Sequence, residues 1–292
     1  MVAKNSGLCY TCVMEHRKKW AGGRIMNDMK EKALIFDSHA HYDDERFDDD
    51  RDELLLSMKK QGVGMIVNVG ASLESTRQSV KLAEQYDFMY ASVGIHPSEI
   101  KDLNDLVMEE LRQLVMKEKV VAIGEIGLDY YYMEDGKEEQ IYWFERQLEL
   151  ARELKMPVII HSRDAAADTM KIMGKYANQL TGGVIHCYSY SVEQAKEYVK
   201  MGFYIGVGGV LTFKNGRKLV ETVQAIPLER IVLETDCPYL SPVPNRGKRN
   251  DSSNIKYVVQ KLAELKGCTE EEVIVATSDN AHKLYHIRGG KL

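Results

Sequence analysis

The stretch ALIFDSHAHYD, Ala33 to Asp43, is an apolar run that ends in three polar groups, Asp37, His39 and His41, spaced two residues apart. Successive side chains of a strand point to opposite faces. The alternation therefore places these three on one face and Leu34, Phe36 and Ala40 on the other. Two imidazoles converging at a strand end pose a question of metal ligation. A lone His-x-His answers it poorly, because such pairs are common in loops and cores with ordinary hydrogen-bond partners. Further ligands have to come from elsewhere in the chain.

Working outward from this run, seven more short apolar segments follow: GMIVNVG, MYASVGIH, VVAIGEIGLD, PVIIHSRD, GGVIHCYS, FYIGVGG and RIVLETD. Between them lie amphipathic patterns such as DELLLSMKKQ, LESTRQSVKLAEQY and EEQIYWFERQLELARELK, with apolar residues three and four apart. We count eight units of strand and helix. Repeated units of this kind imply a parallel sheet, and eight of them in about 250 residues match a single closed (β/α)8 TIM barrel. The structural alternative is a doubly wound open sheet. At or just past the ends of the runs stand His39, His41, His96, Glu125, His161, His186 and Asp236, drawn from six strands. An open sheet would string them along one edge, whereas a barrel gathers them at its C-terminal mouth. The expected fold is thus α/β, a single TIM barrel with the metal site at that mouth.

Two of these groups carry extra weight. An ionised Glu125 inside VVAIGEIGL is costly to bury without a counter-charge or a metal, and Asp236 at the end of RIVLE makes the same demand. A hydrogen-bonded network of buried histidines and carboxylates is the alternative.

The bulk composition fits a globular enzyme: no apolar run is long enough for a membrane span, so no membrane association is expected. A formal net charge of -5 argues against coating long nucleic acid through many phosphate contacts, and leaves room for a local basic cleft. Five scattered cysteines, an odd number, suggest a reducing compartment and a cytoplasmic location. Residues 1–30 lack the strand pattern and read as an N-terminal extension, with the barrel over 31–288. Cys9, Cys12 and His16 supply half of a zinc site without a second pair nearby, and Met26 is an alternative start of translation.

Three motifs, IFDSHAHYD, PVIIHSRDAAAD and IVLETDCPYL, supported by GIHP, GEIGLDYY, HCYS and RGKRN, resemble the TatD-type metal-dependent deoxyribonucleases, a branch of the amidohydrolase-like barrels. The similarity runs from about Leu34 to Leu284. It implies two divalent ions, one held by His39, His41, Glu125 and Asp236, the other by Glu125, His161 and His186, with Glu125 as the bridge. It also implies phosphodiester hydrolysis, with Asp236 orienting or deprotonating the attacking water. Nitrogen and oxygen ligands suit Mg, Mn, Zn or Fe alike. Cys187 and Cys237 each follow a ligand, and on an extended backbone they point to the opposite face as packing residues.

Outside the ligands, the resemblance makes His96 and Arg163 phosphate contacts; a capping histidine and a surface ion pair are the plainer roles. Tyr130 and Tyr131 could stack an unpaired base or simply pack. The segment NRGKRN, with Arg246, Lys248 and Arg249, follows the eighth strand, where barrels often bind phosphate. The chain departs from the family at Tyr190, where glycine is common, and at DSSN after the basic loop. The expected activity is an exonuclease acting on single-stranded or frayed DNA ends, with RNA as a further substrate, without an obligate protein partner. An amide, ester or lactone hydrolase of the same superfamily is the alternative.

Overall fold

The structure, a computed structural model, describes residues 33–131 and 136–287. The extension over 1–30, with Cys9, Cys12, His16 and Met26, lies outside the described residues. Eight strands, β1 (Ile35–Ala40), β2 (Val63–Val69), β3 (Met89–Val93), β4 (Val120–Asp129), β5 (Val158–Arg163), β6 (Gly183–Ile185), β7 (Tyr204–Val207) and β8 (Ile231–Leu233), pair in sequential order. Every pair in the series is parallel. The order contains no reversal, which rules out the doubly wound sheet. Between β1 and the end of β8 the barrel closes through main-chain bonds, His41 N–H to the Cys237 carbonyl at 2.8 Å and Asp236 N–H to the His39 carbonyl at 2.9 Å.

The connecting helices are α1 (Arg51–Ser57), α2 (Leu73–Gln85), α3 (Asp105–Val115), α4 (Lys137–Leu154), α5 (Ala166–Tyr176), α6 (Val192–Lys200) and α7 (Arg217–Ala225), followed after β8 by α8 (Ile255–Lys266) and α9 (Glu270–Leu284). Short polar residues start several of them: Ser72, Asn104 and Ser191 accept from first-turn N–H groups, and Thr269 forms a capping box with Glu272. The described residues hold one helix more than the eight expected. The extra helix, α9, covers the strand starts: Ser278 Oγ donates to the Leu34 carbonyl at 2.9 Å and Asn280 Nδ2 to the Ile231 carbonyl at 2.8 Å.

Strand alternation builds two apolar layers. Phe36, Val67, Val121, Ile159, Val184 and Val232, from six strands, meet inside the barrel with Ala281 and Leu284 of α9, and Tyr285 just after it, beneath them. Ile35, Ile66, Ile123, Ile160, Ile185 and Leu233 belong to the layer that packs on the helices. The open end lies opposite α9, at the strand C-termini.

Strict alternation fails in β1. Phe36 faces inward while Ala40 joins the outer layer, and the pairing with β2 slips between Asp37 and Ala40. Such an irregularity re-aims side chains. Asp37 consequently does not share the site of His39 and His41. Its carboxylate accepts instead from Thr235 Oγ1 and Ser252 Oγ, each at 2.6 Å, and fastens β1 to the segment after β8. Burial pushes its carboxyl up to about 7, against these hydrogen bonds, which favour the charged form.

Candidate metal centre

The irregular end of β1 brings His39 and His41 to the mouth with their Nε2 atoms 3.0 Å apart. Glu125 of β4 enters from the other side, its Oε2 3.4 Å from His39 Nε2 and 3.8 Å from His41 Nε2. Asp236 completes the group with Oδ1 3.4 Å from His41 Nε2. Its backbone lies in the left-handed region at φ 55°, which turns the carboxylate back over the mouth.

The second oxygen of Glu125 faces a different set. Oε1 lies 2.8 Å from His161 Nδ1, 3.5 Å from His186 Nε2 and 3.8 Å from His96 Nε2. One carboxylate thus stands between two groups of nitrogen and oxygen donors. Gly127, next but one to Glu125, permits the close approach of β5. It has φ 151°, and a Cβ there would sit 1.9 Å from the His161 carbonyl oxygen.

Each ring except one is steadied from behind. His41 Nδ1 meets the Val69 carbonyl at 2.9 Å, and His161 Nε2 meets Asp129 Oδ2 at 3.1 Å. His186 Nδ1 lies 3.3 Å from Glu234 Oε2, an ion-pair distance without hydrogen-bond alignment. His39 Nδ1 has no hydrogen-bond partner, and its ring is stacked on His186 at 3.7 Å. A histidine presenting one nitrogen inward and resting the other on a carboxylate or carbonyl is the usual arrangement around a bound metal.

The electrostatics agree with a cation site. Burial disfavours charge on Glu125, yet His186, His96, His161 and His39 hold its carboxyl well below the usual range. Asp236 is likewise lowered, its burial outweighed by the bond to His41 and the charges of His186 and His39. Burial also opposes charge on His41 and His186. Asp236 nevertheless raises His41 to about 9, and Glu234 with Glu125 raises His186 to about 10. His161 is raised in the same way by Asp129 and Glu125, whereas burial and the charge of His186 lower His39. A pocket that draws positive charge onto imidazoles would draw a divalent cation in place of those protons. The nitrogen and oxygen donors fit such an ion: His39, His41 and Asp236 lie close enough together to hold one, as do His39, Glu125 and His186, and on the far side His96, Asp129 and His161.

Other expected residues fall into place unevenly. His96 caps the turn that follows it, accepting at Nδ1 from the Ser98 N–H at 3.1 Å, while its other nitrogen faces the centre. Arg163 ends β5 at the mouth, with its guanidinium 4.0 Å from the centre of the exposed Tyr131 ring. Tyr130 turns the opposite way. It is 9% exposed, its hydroxyl donates to Asp168 at 2.9 Å and Lys137 covers its ring, so it packs rather than offers a stacking face. Arg249 is also engaged elsewhere, in a two-point pair with Asp50 at 2.6 and 2.8 Å. Arg246 lies over Phe213, and Lys248 is exposed. Tyr190 reaches Ser162 with its hydroxyl at 3.0 Å, filling space beside β5.

The packing role expected for Cys187 is corrected. β6 ends at Ile185 and Cys187 has φ 43°, so alternation no longer applies, and the thiol lies near ligand atoms of His186 and Asp236. Cys237 is fully buried and does pack. Two contributors escaped the sequence reading, Asp129 and Glu234. Glu234 carried the signal that singled out Asp236, an acid at the end of an apolar run.

With this geometry in view, the chain was compared with known proteins. The family described as TatD related DNase matches residues 36–286. A Bacillus subtilis protein named uncharacterized metal-dependent hydrolase YabD is 42% identical over 254 residues, covering 87% of this chain and all of that protein. The 3'-5' ssDNA/RNA exonuclease TatD of Cronobacter sakazakii is 32% identical over 256 residues, covering 86% of this chain and 97% of the relative. Among solved structures, YjjV, a TatD homologue from Escherichia coli K12, matches with a TM-score of 0.83 at 31% identity, over 88% of this chain and 99% of its own. Sequence, fold and donor geometry agree that the chain belongs to the TatD family of metal-dependent hydrolases.

Proposed function

We propose that this hydrolase is a nuclease that removes nucleotides from single-stranded or frayed DNA ends, with RNA as a further substrate and two divalent ions as cofactors. The observation that carries this reading is the pair of donor sets facing the two oxygens of Glu125, with the Arg163 guanidinium at the same mouth. A relative named 3'-5' ssDNA/RNA exonuclease supports the 3'-5' direction. No described helix is long and apolar enough to cross a membrane; a cytoplasmic location is part of this proposal and is supported by the scattered cysteines.

Ions bound between these donors would polarise a phosphoryl oxygen and make water a nucleophile at neutral pH. The chain's own groups do the rest. Asp236, kept ionised, accepts a proton at its carboxylate from the attacking water and fixes the direction of attack. His96 takes the Ser98 N–H at Nδ1, so its neutral ring carries the proton on Nε2 and can donate to a phosphoryl oxygen. Burial and the charge of His161 lower His96 to about 3, which keeps that ring neutral. Arg163 offers a planar pair of donors to the same phosphate.

The test is cleavage of end-labelled single strands with added Mg or Mn, run beside aryl ester and lactone substrates. A ladder shortening from the 3' end is expected. Faster turnover of an ester or lactone would overturn the nuclease reading in favour of a carbonyl hydrolase.

A further inference from the structure

In an eight-stranded barrel β4 and β8 lie opposite each other, so the segments that follow them face each other across the mouth. Each carries an exposed tyrosine capped by an arginine. After β4, Tyr131 is 58% exposed and lies beneath Arg163. After β8, Tyr239 is 48% exposed, and Arg46, from the segment after β1, sits 4.2 Å from its ring centre.

Tyr239 is tied closely to the centre. It follows Asp236 by three residues, and its N–H donates to the Asp236 carbonyl at 2.9 Å. Asp44 fixes the pair from the far side. Its carboxylate accepts Nε and Nη2 of Arg46, each at 2.8 Å, and the Tyr239 hydroxyl at 3.4 Å. Arg249 in turn donates to the Arg46 carbonyl at 2.7 Å. Burial, together with the Asp44 and Asp236 carboxylates, raises the phenol against the pull of Arg46, so the hydroxyl stays neutral. The result is an aromatic plate held by bonds from two loops, with nearly half of its surface open beside a metal ligand. A ring fixed in this way loses little freedom when a flat partner covers it. Every nucleobase offers such a face, and the adjacent guanidinium suits the phosphate attached to it.

We propose that Tyr239, backed by Arg46, stacks the base on one side of the scissile phosphate, while Tyr131 with Arg163 takes the base on the other side. The proposal rests on the nuclease reading and adds that the enzyme grips bases by their faces and without regard to sequence.

The test uses metal-loaded wild type, Tyr239→Ala and Tyr239→Phe on end-labelled single strands. The strands carry either intact bases or a tetrahydrofuran abasic residue on one side or the other of the cleaved bond. Tyr239→Ala should raise KM about tenfold on the intact strand, in the range of one lost base stack, and Tyr239→Phe, which keeps the ring and loses only the bond to Asp44, should raise it about twofold or less. At one of the two positions the abasic residue should raise the wild-type KM by a similar factor, and Tyr239→Ala should then add nothing. As a readout apart from turnover, 2-aminopurine at that position in a phosphorothioate-linked strand should lose fluorescence on binding wild type and Tyr239→Phe, but not Tyr239→Ala. An equal penalty for Tyr239→Ala on intact and on both abasic strands, or unaltered quenching by that variant, would overturn the proposal. If wild type cleaves no oligonucleotide at all, the nuclease reading itself falls.

Discussion

Glu234 grips His186 and its neighbour at once: Oε2 lies 3.3 Å from His186 Nδ1, and Oε1 accepts the Cys187 N–H at 2.7 Å. One fully buried carboxylate therefore sets both the tilt of that ring and the turn that follows it. Glu234→Gln keeps the shape and removes the charge. Metal affinity, measured by competition with a chelator, should fall about 10- to 100-fold while the fold is retained. Unchanged affinity would mean that stacking on His39 alone orients the ring.

Glu125 is the group the two donor sets have in common. Glu125→Ala should remove bound metal and turnover together, because it deletes both the shared ligand and the anion that balances the cations. Elemental analysis of the purified variant checks this. Full metal content with normal turnover would contradict a shared carboxylate.

Asp236→Asn separates chemistry from capture. The amide can still hold its place at φ 55°, a conformation asparagine tolerates, but it cannot take a proton. The turnover number should drop by about 10²- to 10⁴-fold with single-strand affinity largely kept. A rise in KM with unchanged turnover would assign Asp236 to binding instead.

The basic loop should divide into two behaviours. Arg249 serves the fold through Asp50, and this part-exposed pair is worth about 1 kcal/mol or less, so Arg249→Ala should lower the melting temperature slightly. Lys248 is exposed, and if it meets phosphate, Lys248→Ala should flatten the log-log salt dependence of KM by about 0.7. An unaltered slope would take Lys248 out of the substrate path.

The barrel and the convergence of its nitrogen and oxygen donors were legible because the eight apolar runs are short, alternate with helical patterns and in most cases end in polar groups. The acids inside apolar runs were informative for a simple reason: burial makes an unneeded carboxylate too costly to keep. What could not be read were departures from regular backbone. The slip between Asp37 and Ala40 parts Asp37 from His39, and the left-handed turn at Cys187 swings a supposed packing thiol toward the centre. Neither leaves a mark on hydrophobic periodicity. Pairings between distant segments were equally hidden, and Arg249 reads as a substrate contact until Asp50, 199 residues earlier, is seen beside it.

The closure between β1 and β8 bears on the order in which the molecule can assemble. His39 accepts the Asp236 N–H, His41 donates to Cys237, and Asp37 takes the Thr235 hydroxyl, so the joint is made at the donor residues or within two residues of them. These partners lie almost 200 residues apart in the chain, a contact that closes only after most of the polypeptide is in place. A cation held jointly by His39, His41 and Asp236 would therefore serve as a clasp across the first and last strands, shrinking the freedom of the opened chain as any long-range crosslink does. The donor group is then incomplete until the last strand has docked, and a nascent chain holds no hydrolytic apparatus before that point.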